Sequence, residues 1–251
     1  MTNSEHQYSR NELYWGEEAQ KNLLNKHVLV AGLGGVGGYV ADALARSGIG
    51  KFTLIDFDDV SLSNINRQLI ALYSTVGKPK TELMKTRILD INPKISVKII
   101  NSFYTEKLAS LLEENYPDFV IDAIDTLQYK IDLIKTCKNL NIPVITSLGA
   151  GNRIDPTKLY LADISEVKPR SCPFLKKAVS KLKLAGIDKD LPVVSSSEKP
   201  FNLQKNASTL KIETESEKID IKKFIPASTH FVPPVAGYIM ASYVVRQFLN
   251  L

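Results

Sequence analysis

Short apolar runs recur along the chain, separated by stretches whose apolar residues return every three to four positions. The runs His27 to Ala31 (HVLVA), Lys51 to Asp56 (KFTLID), SVKII from Ser96, FVIDAID from Phe119, IPVITS from Ile142 and KLYLADI from Lys158 read as strands. Between them lie helical patterns: from GLGGVG to about Ser47, from Pro79 to about Ile91 with Asn92-Pro93 as a stop, KLASLLEEN, and YKIDLIKTCKNL. Such alternation predicts an α/β fold, a Rossmann-like, mostly parallel sheet with helices on both faces.

Beyond Gly151 the pattern changes. A basic helix is expected after Lys168, then a polar, charge-rich stretch from Ser195 to Lys223 that reads as a long crossover, its part 199–224 a mobile loop. A last helix from Val235 to about Leu249 should pack back on the core. The expected organisation is an N-terminal helical arm (1–26), a nucleotide-binding unit (27–163) and an extension of the same compact domain (164–251). The run FVPPVAGYIMASYVVRQFL is broken by two prolines and carries Arg246, so it reads as a buried terminal helix and not a membrane span. The polar N-terminus lacks the apolar stretch of a signal peptide, so the cytoplasm is expected.

Composition changes this picture little. With 44% hydrophobic and 24% charged residues the chain has enough apolar material for a real core. Two cysteines, Cys137 and Cys172, can make neither a disulfide framework nor a four-cysteine zinc site, so no zinc is expected. Cys137 falls on an amphipathic helix as a packing residue; Cys172 lies in a basic stretch that would lower its thiol pKa. His6, His27 and His230 show no ligand spacing.

The location of charge says more than the net value of +5. From Lys168 to Lys189 there are seven basic residues against one acid, Asp188. On a helical wheel Phe174, Leu175, Ala178, Val179 and Leu182 share one face, with Lys176, Lys177, Lys181 and Lys183 mostly off it. That surface is either a solvated helix face or one that meets phosphates.

The glycine turn poses the main chemical question. Gly32, Gly34, Gly35 and Gly37 let the backbone approach a phosphate, and Asp56, about 20 residues on, is placed to accept from ribose hydroxyls. NAD and ATP both fit that signature. The following segment adds the polar Asn66 and Gln68 and the cations Arg67 and Lys80, a set that suits a triphosphate better than a nicotinamide. FVIDAIDT ends the fourth strand with Asp122 and Asp125, carboxylates facing the crevice where open sheets bind ligands, and one could hold Mg²⁺.

The motifs GLGGVG, LIDFDDV, NINRQ, VGKPK and DAIDT, in that order, resemble those of the ThiF/MoeB-type adenylyltransferases of the ubiquitin-activating enzyme superfamily. The resemblance implies that Asp56 binds ribose, that Arg67 and Lys80 contact the ATP phosphates and that Asp125 positions Mg²⁺. Asp58, Asn64 and Gln68 would support the site. The leader YSRNELYWGEEAQKNL resembles the family's start, which implies that Arg10 reaches into a neighbouring subunit's ATP site and that the protein is a homodimer.

Within that superfamily ALARSGIG, TSLGAGNRIDPTKLYLADIS, PVVSSSEKP and FVPPVAGYIMAS are similar to the tRNA threonylcarbamoyladenosine dehydratases. These use ATP to activate a carboxylate that a neighbouring carbamoyl group then attacks, closing a ring. The implied partner is threonylcarbamoyl-modified tRNA, with Lys168, Arg170, Lys176, Lys177 and Lys181 as its contacts. Where such enzymes tend to have an Asp-Pro-Leu-Ala step and an arginine-rich helix, this chain has Ser171-Cys172-Pro173-Phe174 and lysines, which lack arginine's fork. The alternative is activation of the C-terminal glycine of a ubiquitin-like or sulfur-carrier protein. A monovalent cation and a cysteine desulfurase or sulfur-acceptor partner stay open at this point.

Overall fold

The computed structural model describes residues 6–102, 108–168, 172–201, 207–213, 218–224 and 226–251. The chain begins with two short helices, α1 (Ser9–Trp15) and α2 (Glu17–Leu24). Then follow β1 (His27–Ala31), α3 (Gly37–Ser47), β2 (Lys51–Ile55), α4 (Lys80–Ile91), β3 (Ser96–Ile100), α5 (Leu108–Asn115), β4 (Phe119–Asp122), α6 (Leu127–Asn139) and β5 (Val144–Ser147). The second part adds β6 (Leu159–Asp163), α7 (Pro173–Leu184), β7 (Pro192–Ser196), a pair β8 (Ala207–Glu213) and β9 (Lys218–Phe224), and α8 (Val232–Leu249).

Seven strands form one sheet in the order β3-β2-β1-β4-β5-β7-β6, parallel except for β6, which runs antiparallel to β7. The reason is visible in β1. A strand turns successive side chains to opposite faces, and here both faces are dry: Val28 and Val30 join the layer of α3, α4 and α8, while Leu29 and Ala31 join the layer of α5, α6 and α7. Continuous apolar runs are what a parallel sheet covered on both sides requires.

Three features differ from the sequence-based expectations. Strand β7 forms at PVVSS, where the polar serines suggested the start of the crossover; Val193 and Val194 pair with β5, while Ser195 and Ser196 pair with β6 and are buried. Inside the segment expected as a loop, β8 and β9 pair antiparallel from Ala207↔Phe224 to Glu213↔Lys218. Helix α8 begins at Val232, three residues early, because Pro233 and Pro234 sit in its first turn, where a missing N–H costs nothing. Among the described residues no helix is long and apolar enough to cross a membrane.

Candidate nucleotide site

The turn after β1 is wedged between strands. Gly32 donates its N–H to Ile55 O at 2.8 Å, while Ala123, just past β4, donates to Ala31 O at 2.9 Å. Gly32 has φ +87°, and a Cβ there would lie 2.7 Å from Ala123 O. At Gly37 a Cβ would fall 1.7 Å from Gly32 O. No side chain fits at either position, so the turn is pressed against the C-terminal end of β4 and opens α3. The walls come from elsewhere. Gly34 faces the side-chain amide of Gln68, Gly35 faces the Arg67 stem, and Pro233 of α8 closes in on Gly35 from the other side.

Asp56, at the end of β2, stitches this turn in place. Its Oδ2 accepts from the Leu33 N–H at 2.6 Å and its Oδ1 from the Asp58 N–H at 2.8 Å. Burial pushes its pKa up, and the Lys80 ammonium with the two N–H groups opposes that rise. Lys80 is the first residue of α4 and is itself buried at 4% exposure. Its Nζ lies 2.8 Å from Asp58 Oδ2 and 3.9 Å from Asp56 Oδ1. The backbone holds it there, since Lys80 N–H donates to Asp58 O and Gly77 N–H to Val60 O.

The segment after β2 supplies the second cation. Asn64 is buried and accepts the Ser61 N–H at 3.2 Å, while its carbonyl takes the N–H groups of Arg67 and Gln68. That tight turn presents both side chains toward the glycines. Burial lowers the Arg67 pKa, and the charge of the Asp125 carboxylate opposes that fall. Asp125 is exposed at the start of α6 and accepts from the Thr126 hydroxyl at 3.2 Å. Gln68 Oε1 is buried without a hydrogen-bond partner in the protein, an acceptor that a ligand hydroxyl or amine would satisfy. The donor set therefore fits a nucleotide: a glycine turn, an unsatisfied acceptor, and two cations, Arg67 and Lys80, near the turn.

The ThiF family matches residues 8–246, nearly the whole chain. The protein belongs to the ThiF family. It is 46% identical over 245 residues to tRNA threonylcarbamoyladenosine dehydratase of Bacillus subtilis, a match spanning 98% of this chain and 95% of that protein. The corresponding Escherichia coli protein is 44% identical over 153 residues, 61% of this chain and 57% of that one. The crystal structure of E. coli tRNA N6-threonylcarbamoyladenosine dehydratase in complex with ATP superposes with a TM-score of 0.84 at 31% identity, over 97% of this chain and 94% of that chain.

One carboxylate expected at the crevice of this ThiF-family chain is not there. Asp122 does not face the crevice: it is fully buried, with Lys130 Nζ at 2.6 Å and the Thr146 hydroxyl at 2.6 Å on the same oxygen. Its role is to hold the end of β4. Arg10 lies exposed on α1, and that region is fastened to the far end of α3 by Tyr8 Oη to Ala45 O and Asn11 to Arg46 O. Eleven helical residues, about 15 Å, separate it from the glycine turn of its own chain.

On α7, Leu175, Ala178 and Leu182 are buried while Lys176, Lys177 and Lys183 are exposed, and Lys181 reaches Gln128 on α6. Lys168 is exposed; Arg170 lies outside the described residues. Cys172, expected as a lowered-pKa thiol, is instead buried in the apolar cluster beneath α7. Burial, with Asp122 nearby, pushes the Cys137 thiol up to about 12.

Sequence reasoning missed the short segment 226–231 that precedes α8. Asn66 donates to Ser228 O at 2.9 Å, and Tyr39 in the first turn of α3 meets the His230 ring at 3.2 Å. Nothing in the local sequence announces this approach, because it joins positions far apart in the chain. Among the described residues no group of three or more His, Cys, Asp or Glu is arranged to hold a metal ion by itself.

Proposed function

We propose that this protein uses ATP to dehydrate threonylcarbamoyladenosine in tRNA, closing a ring through an acyl adenylate. The observation that carries the reading is that the Arg67 stem packs against Gly35 of the glycine turn while Lys80 pairs with the Asp56 carboxylate that holds Leu33 of the same turn. Near-full-length similarity to a named dehydratase supports the substrate.

A carboxylate is a poor electrophile, and its acyl phosphate anhydride is a good one. The substrate carboxylate attacks the α-phosphorus of ATP and pyrophosphate departs. Charge accumulates on the leaving group, where Lys80 and Arg67 would stabilise it from fixed positions. Mg²⁺ held at Asp125 would further neutralise the phosphates. The carbamoyl group of the same nucleoside then attacks the acyl carbon, gives up a proton, and AMP leaves with the former carboxylate oxygen, so one water is lost overall. Because nucleophile and electrophile are already tethered, the second step needs orientation and no enzyme nucleophile. That agrees with two buried cysteines.

Asp56 and Gln68 would bind the ribose side of the nucleotide, and Asn64 and Asp58 hold the cations' supports. Arg10 would act in trans, in a homodimer working in the cytoplasm. The exposed lysines of α7 with Lys168 and Arg170 would meet tRNA phosphates. Replacing Lys176 and Lys177 with glutamine is then expected to weaken tRNA binding while leaving the KM for ATP unchanged. The slope of log affinity against log salt should become shallower by about one for each phosphate that is no longer neutralised. Titrations at several salt concentrations check this.

The reading as a whole is tested by nucleoside mass spectrometry on threonylcarbamoyl-modified tRNA incubated with the protein, ATP and Mg²⁺. ATP-dependent loss of one water from the modified adenosine is the expected result. No change, with ATP–pyrophosphate exchange only when a carrier protein ending in Gly-Gly is supplied, would transfer the assignment to protein activation.

A further inference from the structure

Arg67 does not stand alone. Its Nη1 donates to Ser63 O at 2.7 Å and to the side-chain oxygen of Asn66 at 2.9 Å. The amide nitrogen of Asn66 is spent on Ser228 O, which fixes which way its oxygen points. Ser228 lies in segment 226–231, and that segment is tied down again next door. The Ala227 N–H donates to Asn152 Oδ1 at 2.7 Å, and the Asn152 N–H donates back to Ala227 O at 2.8 Å. Asn152 also accepts the Phe201 N–H at 2.9 Å, and Pro226 closes on Gly151, where a Cβ would come within 2.9 Å of it.

Asn152 has φ +59°, a left-handed conformation uncommon for residues with a side chain and most tolerated by Asn and Asp. Such conformations persist where the surroundings over-determine them. The two anchors also sit at informative places. Asn66 follows β2 and Asn152 follows β5, and between those strands the sheet holds β1 and β4. The segment therefore joins the loop that follows β2 to the loop that follows β5 through two consecutive residues, Ala227 and Ser228.

We propose that segment 226–231 is a strap that aims Arg67, with Asn66 and Asn152 as positioning residues that grip its adjacent residues Ser228 and Ala227. The inference rests on the reading of Arg67 as a ligand of the ATP phosphates. A guanidinium freed to swing on its long stem loses part of the preorganisation that makes it useful in the adenylation step.

The experiment is a double-mutant cycle, read as AMP released per enzyme with modified tRNA, ATP and Mg²⁺, alongside equilibrium binding of a fluorescent ATP analogue and thermal midpoints. Asn66→Ala and Asn152→Gly, the latter keeping the left-handed backbone while deleting the acceptor, are each expected to slow adenylation by about tenfold to a hundredfold. In an Arg67→Ala background they should cost nothing further, since their effect runs through the missing guanidinium. Asn152→Asp, which keeps the acceptor for Ala227, should restore most of the rate. Equal losses in both backgrounds would overturn the strap's role, because the anchors would then act independently of Arg67. Full activity in Arg67→Ala alone would instead remove the phosphate-site reading on which the inference stands.

Discussion

Lys80→Ala is expected to slow formation of the adenylate by about 100- to 1,000-fold, the usual cost of removing one preorganised group from a developing negative charge. Lys80 is buried, fixed by the start of α4 and paired at 2.8 Å with Asp58, so its position costs little reorganisation when pyrophosphate begins to leave. Single-turnover AMP release measures the effect, and a rate within twofold of the parent would dismiss Lys80 as a phosphate ligand.

The substitution has a second signature. Asp56 already has a raised pKa through burial, opposed by Lys80, so losing the ammonium raises it further. A carboxyl whose folded pKa is raised contributes its full stability below the unfolded value and loses it as pH climbs through the folded one. The gap in Tm between Lys80→Ala and the parent should therefore be smaller in mild acid and widen toward neutrality. A gap independent of pH would separate Asp56 from Lys80.

The largest effect on folding is expected at Lys130→Ala. Lys130 and Asp122 are both withdrawn from water, at 1% and 0% side-chain exposure, and Thr146 completes the cluster with a 3.0 Å contact to the ammonium. Removing one partner leaves a buried, uncompensated carboxylate, at a cost of about 3–5 kcal/mol. For a chain of this size that lowers Tm by about 10 °C. Substituting both, Lys130→Met with Asp122→Asn, should recover most of the loss, because Asn still accepts the Ile124 N–H and no charge remains. Thermal scans of the single and double variants decide the matter: a single variant as stable as the parent would mean the pair contributes nothing.

The same cluster marks where reading the sequence stopped working. Asp122 and Asp125 are three residues apart at a strand end, and periodicity treats them alike. Only the arrival of Lys130 one helical turn into α6, and of Thr146 from the neighbouring strand, makes the first structural, while the second stays exposed. The strands β1, β2, β4 and β5 were legible because a doubly covered sheet demands unbroken apolar runs. β7 was not, since it ends in two serines that are buried where they pair with β6, a burial that hydrophobicity does not announce.

The hairpin β8–β9 did leave a signal, the alternation of Leu210 and Ile212 and of Ile219 and Ile221, which the surrounding charge obscured. The site followed the same rule. Residues near in sequence to the glycine turn could be named in advance, along with Lys80, whose motif announced it. The strap at 226–231 could not, because its partners Asn66 and Asn152 are remote along the chain and carry no chemistry of their own until they meet.

Pro233 against Gly35 and Gly237 against Val36, where a Cβ would come within 2.7 Å of the carbonyl, mean that the turn after β1 is finished by a helix made much later in synthesis. During translation β1 and its glycines emerge long before α8, and they stay open on that side in the meantime. Contacts of such long sequence separation form late and slowly. Nucleotide capture should therefore wait for α8, and a nascent chain stalled ahead of that helix would hold the motif without the pocket.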